Sequence, residues 1–283
     1  MSDNVPHEPV DYLVIGHLAR DLTLKGPQLG GTVAYSALTA RALGLQVGIV
    51  TASGSDVPLE VLNGIPVVSS ESNSSTTYEN IYTDRERVQY LRAQASRIDL
   101  HRVPEPWRTA SIIHLGPIAN EVDSVLPDGF SPILLGLTPQ GWMRQWNSNG
   151  LVSSRIWKNS EPALAQAGAI VLSREDVDGD DLLIEHMAQH TKILVVTEGV
   201  AGAVLYWHGD RRRFRAPTVN EVDATGAGDI FATAFFMRLL NTRDPWEATR
   251  FATLLASHSV ERAGLDGIPT SLEIEQSMMV VIP

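Results

Sequence analysis

The first fifty residues constrain the fold most. Tyr12–Gly16 (YLVIG) is a short apolar run closed by glycine, the pattern of a strand buried on both faces. A loop with Gly30-Gly31 follows, then Thr32–Leu43 carries Ala and Leu at helical spacing with Gly44 as its stop. Val47–Thr51 is a second buried strand. Strand, glycine loop, helix, strand is the rhythm of a βαβ crossover and predicts a parallel sheet. That rhythm resumes at Ser111–Leu115, Ile133–Leu137, Ala169–Leu172 and Ile193–Thr197. A hairpin is expected at Val204–Trp207 and Arg211–Arg215, and helices over Ile230–Leu240 and Trp246–Arg262.

The middle of the chain breaks the pattern. Val67–Ser75 is serine-rich, and Thr76–Leu91 holds two Thr/Tyr/Ile-rich runs around Asp84-Arg85-Glu86, a hairpin signal. With no internal repeat and no low-complexity linker, the expectation is a single α/β domain over 1–283, with a β excursion over roughly 67–100.

Composition excludes several function classes. The chain has no Cys, which removes disulfides, iron–sulfur sites and thiol nucleophiles, and fits a reducing, cytoplasmic compartment. A net charge of −11 argues against nucleic-acid and anionic-membrane partners, because phosphate polymers need a basic face. The polar start MSDNVPHEP lacks the order of a signal peptide, and no apolar stretch approaches a membrane span.

The most informative stretch is Val222–Asp229 (VDATGAGD), which runs straight into an apolar helix. A glycine-rich turn opening a buried helix aims unpartnered N–H groups into one concavity, and the helix dipole adds positive potential. Such a site binds an anion without Lys or Arg. Asp229 would repel that anion unless it has a task, such as taking a proton from an attacking hydroxyl. The plainer alternative is a helix cap with Asp229 complementing the dipole. A dinucleotide fingerprint is excluded because Phe231 stands at the third glycine position, and no GxxxxGK[ST] occurs. Asp21, near the Gly30-Gly31 turn, could bind paired sugar hydroxyls.

Three weaker candidates read as structural. His186 and His190 have zinc-like i, i+4 spacing but no third ligand, so a surface helix is expected. The basic run Arg211–Arg215 reads as a solvated hairpin face, and Trp142 with Trp146 as a packing pair on a helix.

The two glycine motifs together resemble the ribokinase-like (PfkB) carbohydrate kinase family. The resemblance covers nearly the whole chain: Leu29–Gly44 (LGGTVAYSALTARALG), Ala52–Asp56 (ASGSD), Val195–Val204 (VVTEGVAGAV), Val222–Phe236 (VDATGAGDIFATAFF) and Arg250–Gly264 (RFATLLASHSVERAG). It implies a ribokinase-like three-layer α/β sandwich, a central mainly parallel sheet and a small β lid. It also implies transfer of the ATP γ-phosphoryl group to a hydroxyl. By this resemblance Asp229 is the general base, and the N–H groups of Gly226, Ala227 and Gly228 form the anion hole. Asp21, Gly30, Gly31 and Tyr35 fall at substrate-binding positions. Ser173, Thr197, Glu198, Gly199 and Thr253 fall at nucleotide-binding ones. Asp176 would assist Mg2+ through water, and Asp223 with Thr225 would border a monovalent cation such as K+.

Departures bear on the substrate. Tyr35 stands where ribokinases carry a sugar-binding Asn, Ser173 replaces the usual Asn of the metal loop, and Ala224 replaces a common Thr or Pro. With the start His17–Asp21, these features are similar to the myo-inositol kinase-like subgroup. A small polyol or sugar substrate is therefore expected. Ribose, nucleoside and sugar-phosphate kinases remain as alternatives, as does an idle sugar- or nucleotide-binding regulator. Arg85, Arg87 and Arg92 of the excursion read as a solvated rim that could instead hold a sugar phosphate. Lid-mediated homodimers occur in the family, and this lid looks short.

Overall fold

The computed structural model describes residues 7–23, 26–82 and 87–279. Arg85 lies outside them, as does the side chain of Arg87. The opening segments are β1 (Tyr12–Ile15), β2 (Ala19–Thr23), β3 (Gly26–Gly30), helix α1 (Gly31–Ala42) and β4 (Val47–Ser53). Then come β5 (Val67–Glu71), β6 (Thr76–Tyr82), β7 (Arg87–Ala93), β8 (Ile112–Leu115), β9 (Leu134–Leu137), β10 (Arg144–Trp146) and β11 (Val152–Ser154). The last part holds α2 (Glu161–Gln166), β12 (Ala169–Ser173), α3 (Asp181–His190), β13 (Ile193–Thr197) and the hairpin β14 (Ala203–Trp207) and β15 (Asp210–Phe214). Helices α4 (Ala227–Thr242), α5 (Pro245–Ser259) and α6 (Ser271–Met278) end it.

Nine strands form one sheet in the order β15-β14-β13-β12-β9-β8-β1-β4-β5. From β5 to β13 every pairing is parallel, and the β14–β15 hairpin closes one edge antiparallel. Alternation along β1 builds two cores. Tyr12 and Val14 face a layer shared with α1, α4 and α5, while Leu13 and Ile15 face one holding Trp107, Leu164 and Ile184. Helix α4 buries Ile230–Met237, as its apolar sequence predicts, and packs between α1 and α5.

The excursion differs from the sequence expectation at both ends. Val67–Glu71 is not part of it: half-buried Val67 and Val68 extend the large sheet by pairing in parallel with β4. The separate four-stranded sheet has the order β3-β2-β6-β7 and so draws half its strands from residues before α1. The expected hairpin is β6–β7, and β6 pairs in parallel with β2, placing Tyr78 beside Asp21. No short-range signal marks that pairing, because the two strands are far apart in sequence.

Trp142 and Trp146 are not on a helix. Trp142 lies in a 3-10 turn (Pro139–Met143), stacks on Trp157 at 4.8 Å and donates from Nε1 to the Val122 carbonyl at 2.8 Å, whereas Trp146 is in β10. A proline at the start and a glycine inside that stretch break the helical period. His186 and His190 are exposed on α3, and among the described residues no three His, Asp or Glu side chains are grouped to hold a metal ion. Among the described residues no helix is long and apolar enough to cross a membrane.

Candidate active site

The site lies beyond the C-terminal ends of the parallel strands, where open α/β sheets place their ligands. Its centre is the turn before α4. Asp223 fastens this turn: its Oδ1 accepts from the Thr225 N–H at 2.9 Å and its Oδ2 from the Gly264 N–H at 2.8 Å. The Val222 and Asp223 N–H groups both donate to the Val260 carbonyl, so the loop after α5 holds the turn in place. Gly226 caps α4 with φ of +80°, and a Cβ there would collide with the Tyr35 ring. Gly228 is exposed and has nothing within 4 Å of where a Cβ would stand. The Ala227 N–H turns back to the Ala224 carbonyl at 3.2 Å.

Asp229 sits in the first turn of α4, half-buried, and the Thr32 hydroxyl at the start of α1 is among the groups that favour its ionised form. Burial pushes its carboxyl up to about 6, against the lowering effects of Thr32 and the Arg144 charge, while Asp176 and Asp21 add to the rise. A carboxylate tuned to that range is suited to accept a proton near neutral pH.

Asp21 points from β2 over Gly30, where any Cβ would collide with its carboxylate, so this glycine makes room for the acid. Gly31, with φ of +83°, starts α1. Tyr35 is 3% exposed and walls the Gly226 turn, its phenol oxygen lying toward Gly264. The structure thus joins Asp21, Gly30 and Asp229 around one cleft and makes Tyr35 part of its wall.

At the end of β12, Ser173 and Asp176 form a reciprocal cap: Asp176 Oδ2 accepts from the Ser173 N–H at 2.9 Å, and Ser173 Oγ from the Glu175 N–H at 3.2 Å. Asp176 Oδ1 also accepts from Gln140 at 3.1 Å. Each carboxylate oxygen keeps a lone pair, which fits water-mediated contact with a cation rather than direct ligation. Thr197 donates to the Leu172 carbonyl at 3.4 Å, and Gly199 has φ of +55°. Glu198 is clamped by Arg174 at 3.5 Å and by Arg213. The basic run is therefore not simply a solvated face: Arg213 reaches Glu198, and Arg212 lies over Phe214 and Trp246. Thr253 is buried, its hydroxyl spent on the Thr249 carbonyl of its own helix at 2.7 Å. Arg92 pairs with Glu79 at 2.6 Å and covers Tyr90, which leaves it committed within the lid.

Three further residues lie around the site, and the sequence reading singled out only one of them, His17. Glu121 is fully buried and accepts from the N–H groups of His17 (2.8 Å), Ile118 (3.0 Å) and Ala119 (2.7 Å). His17 in turn meets Thr76 Oγ1 through Nδ1 at 2.7 Å and the Ser96 carbonyl through Nε2 at 2.8 Å, so it ties both roots of the β6–β7 hairpin to the sheet. Arg144 stands at the start of β10, and its charge works against the rise that burial imposes on both the Tyr78 hydroxyl and the Asp229 carboxyl. Neither Glu121, which stands between Asn120 and Asp123, nor Arg144 carries a buried-charge signal in the sequence.

Comparison with known proteins places these features. Residues 169–271 match the model of the pfkB family carbohydrate kinases. A cytidine kinase of Thermococcus kodakarensis is 26% identical over 279 residues, covering 90% of this chain and 98% of that protein. A pyrophosphate-dependent kinase in the ribokinase family, solved with a pyrophosphate analog and myo-inositol, superposes with a TM-score of 0.78 at 20% identity, covering 94% of this chain and 100% of the other. The ribokinase of Giardia lamblia gives a TM-score of 0.75 at 18% identity, covering 96% and 99%. The expected ribokinase-like α/β fold is the observed one.

Proposed function

Because this chain belongs to the pfkB family of carbohydrate kinases, we propose that it transfers the γ-phosphoryl group of ATP to a hydroxyl of a small polyol or sugar, with myo-inositol favoured. The carrying observation is Asp229 in the first turn of α4, beside the Gly226–Gly228 turn and across the cleft from Asp21. The acceptor hydroxyl gives its proton to the Asp229 carboxylate, its oxygen bonds to the γ-phosphorus, and the bond to the β-phosphate oxygen breaks with its electron pair leaving on ADP. The N–H groups of Gly226 and Gly228 and the α4 dipole face the charge that builds on the moving phosphoryl, whereas the Ala227 N–H, expected to join them, is engaged by the Ala224 carbonyl. Asp21 and the Gly30-Gly31 turn orient the acceptor, and Ser173, Thr197, Glu198, Gly199 and Thr253 border the nucleotide. Magnesium on the donor would screen phosphate charge, held by Asp176 through water, and a potassium ion would sit at Asp223 and Thr225. A cytoplasmic location, and a homodimer through the lid, complete the reading.

A nucleoside acceptor is the second reading, favoured by the nearly full-length similarity to a cytidine kinase. The deciding experiment offers ATP or pyrophosphate with a panel of myo-inositol, pentoses, hexoses, sugar phosphates and nucleosides. Release of ADP with myo-inositol upholds the first reading and with cytidine the second. Ligand binding without phosphate transfer on every member of the panel refutes both and leaves an idle binder.

A further inference from the structure

His114 is fully buried in β8, an otherwise apolar parallel strand, and the chemistry above makes no use of it. Both of its ring nitrogens meet hydroxyls: Nδ1 lies 2.8 Å from the Tyr12 oxygen and Nε2 2.9 Å from Thr138 Oγ1. Burial keeps the ring neutral, its pKa pushed down to about 3, so it has one N–H to give and one bare nitrogen. Tyr12 decides which is which. Its hydroxyl donates its one proton to Thr233 Oγ1 at 3.2 Å, so its oxygen accepts from the His114 Nδ1–H. Nε2 is then the bare nitrogen, and the Thr138 hydroxyl donates to it. The one hydroxyl proton of Thr138 is thereby held inside the protein, and toward any other group its oxygen can only accept.

Thr138 follows β9 at the ligand-binding end of the sheet and is 8% exposed. It precedes the 3-10 turn Pro139–Met143 yet gives that turn no side-chain cap, the usual use of a threonine there. The neighbouring strand leaves its oxygen uncovered, because the residue after β8 is Gly116: a Cβ there would stand 3.3 Å from Thr138 Oγ1 and would collide with Thr32 Cγ2 at the start of α1. The other end of the chain is anchored beneath the base, since Thr233 lies one helical turn after Asp229 in α4.

We propose that Thr138 binds the alcohol substrate, its oxygen accepting a hydrogen bond from a substrate hydroxyl, and that Tyr12 and His114 are positioning residues that hold the Thr138 proton inward. A sugar or polyol hydroxyl brings the proton that such an oxygen needs, whereas an ionised phosphate oxygen brings none, so Thr138 serves the alcohol and not the nucleotide. The proposal rests on the kinase reading above.

The test joins nitrogen-15 NMR of the histidine rings to kinetics of Thr138→Val, Thr138→Ser and Tyr12→Phe. In the parent, with His114→Leu used to assign the signals, Nε2 of His114 should carry no proton. A proton on Nε2 overturns the proposal whatever the protein phosphorylates. Thr138→Val should raise KM for the alcohol that the substrate panel identifies about tenfold, with KM for ATP within about twofold, and Thr138→Ser should recover most of that loss. A rise in KM for ATP instead, or no change in either, overturns the proposal. Tyr12→Phe should move the ring proton to Nε2 and raise the same KM about three- to tenfold, although Thr138 is intact. A ring proton that stays on Nδ1, or an unchanged KM once it has moved, overturns the positioning role; this variant also decides the matter where Thr138→Val does not fold. If the parent phosphorylates nothing, the kinase reading fails separately, and calorimetric titration with myo-inositol and with cytidine decides. Binding about tenfold weaker to Thr138→Val then upholds the contact, and equal binding, or none by the parent, overturns it.

Discussion

Replacing Asp229 by asparagine should stabilise the protein at pH 8 while removing the proposed chemistry. The carboxyl is raised from 3.8 to about 6, chiefly by burial. Below pH 3.8 both folded and unfolded chains hold the proton, and the group costs nothing. Between 3.8 and 6 the unfolded chain ionises first, so stability falls as pH rises; above 6 both are ionised and the cost is constant. At about 1.4 kcal/mol per pKa unit, the plateau cost is at most about 3 kcal/mol. Solvent at the cleft mouth screens part of it, leaving about 1–3 kcal/mol. Asparagine keeps the shape without the charge. The variant should therefore gain roughly 2–12 °C in Tm at pH 8, taking 2–4 °C per kcal/mol for a chain of this size. The gain should vanish near pH 4. Thermal unfolding of both proteins at the two pH values, with turnover measured alongside, is the assay. No gain at pH 8, or an equal gain at pH 4, refutes the assignment of a buried, charge-costly base.

Turnover (kcat/KM) should fall about tenfold per pH unit below 6 and level off above it, with Thr32→Val moving that limb upward because a group favouring the ionised form is lost; a pH profile flat from 5 to 7 contradicts the base assignment. Gly226→Ala and Gly228→Ala should separate fold from chemistry. The first forces a side chain into positive φ and against Tyr35, costing about 1–3 kcal/mol in denaturant unfolding, while the second leaves stability intact and impairs turnover. Equal stability of the two variants would show that Tyr35 yields to a methyl group. Glu121→Gln should cost about 2–4 kcal/mol in the same assay, because an amide turns an N–H toward donors that the carboxylate satisfied; a loss under 0.5 kcal/mol would mean the cluster rearranges freely.

The parts of this molecule that are local in sequence were legible in it. Tyr12–Ile15, the Gly-Gly turn and the VDATGAGD turn declare themselves because a buried parallel strand is a continuous apolar run and a tight turn needs glycine. Asp229, Gly226 and Asp21 followed from the same short-range chemistry. Arg144 and Glu121 did not, since their meaning lies in groups remote in sequence: the Asp229 charge for one, the His17 N–H for the other. Val67–Glu71 misled because a serine-rich edge strand looks like a loop until its neighbour β4 is in place. Tyr35 was expected to face a ligand, but its ring fills the space that Gly226 leaves open.

The four-stranded sheet over the cleft is stitched from two excursions of the chain, one before α1 and one after β5. It therefore cannot be exchanged between relatives as a single cassette. Cutting out β6 and β7 leaves β2, with Asp21, paired to β3 alone, and transplanting them without β2 and β3 leaves them no parallel edge to join. Substrate range in such a chain is easier to alter at the exposed turns and single side chains of the sheet than by wholesale grafting. The parallel seam between β2 and β6 also needs both roots brought together first, which makes the cover over the cleft a late arrival in folding and an early departure in partial unfolding.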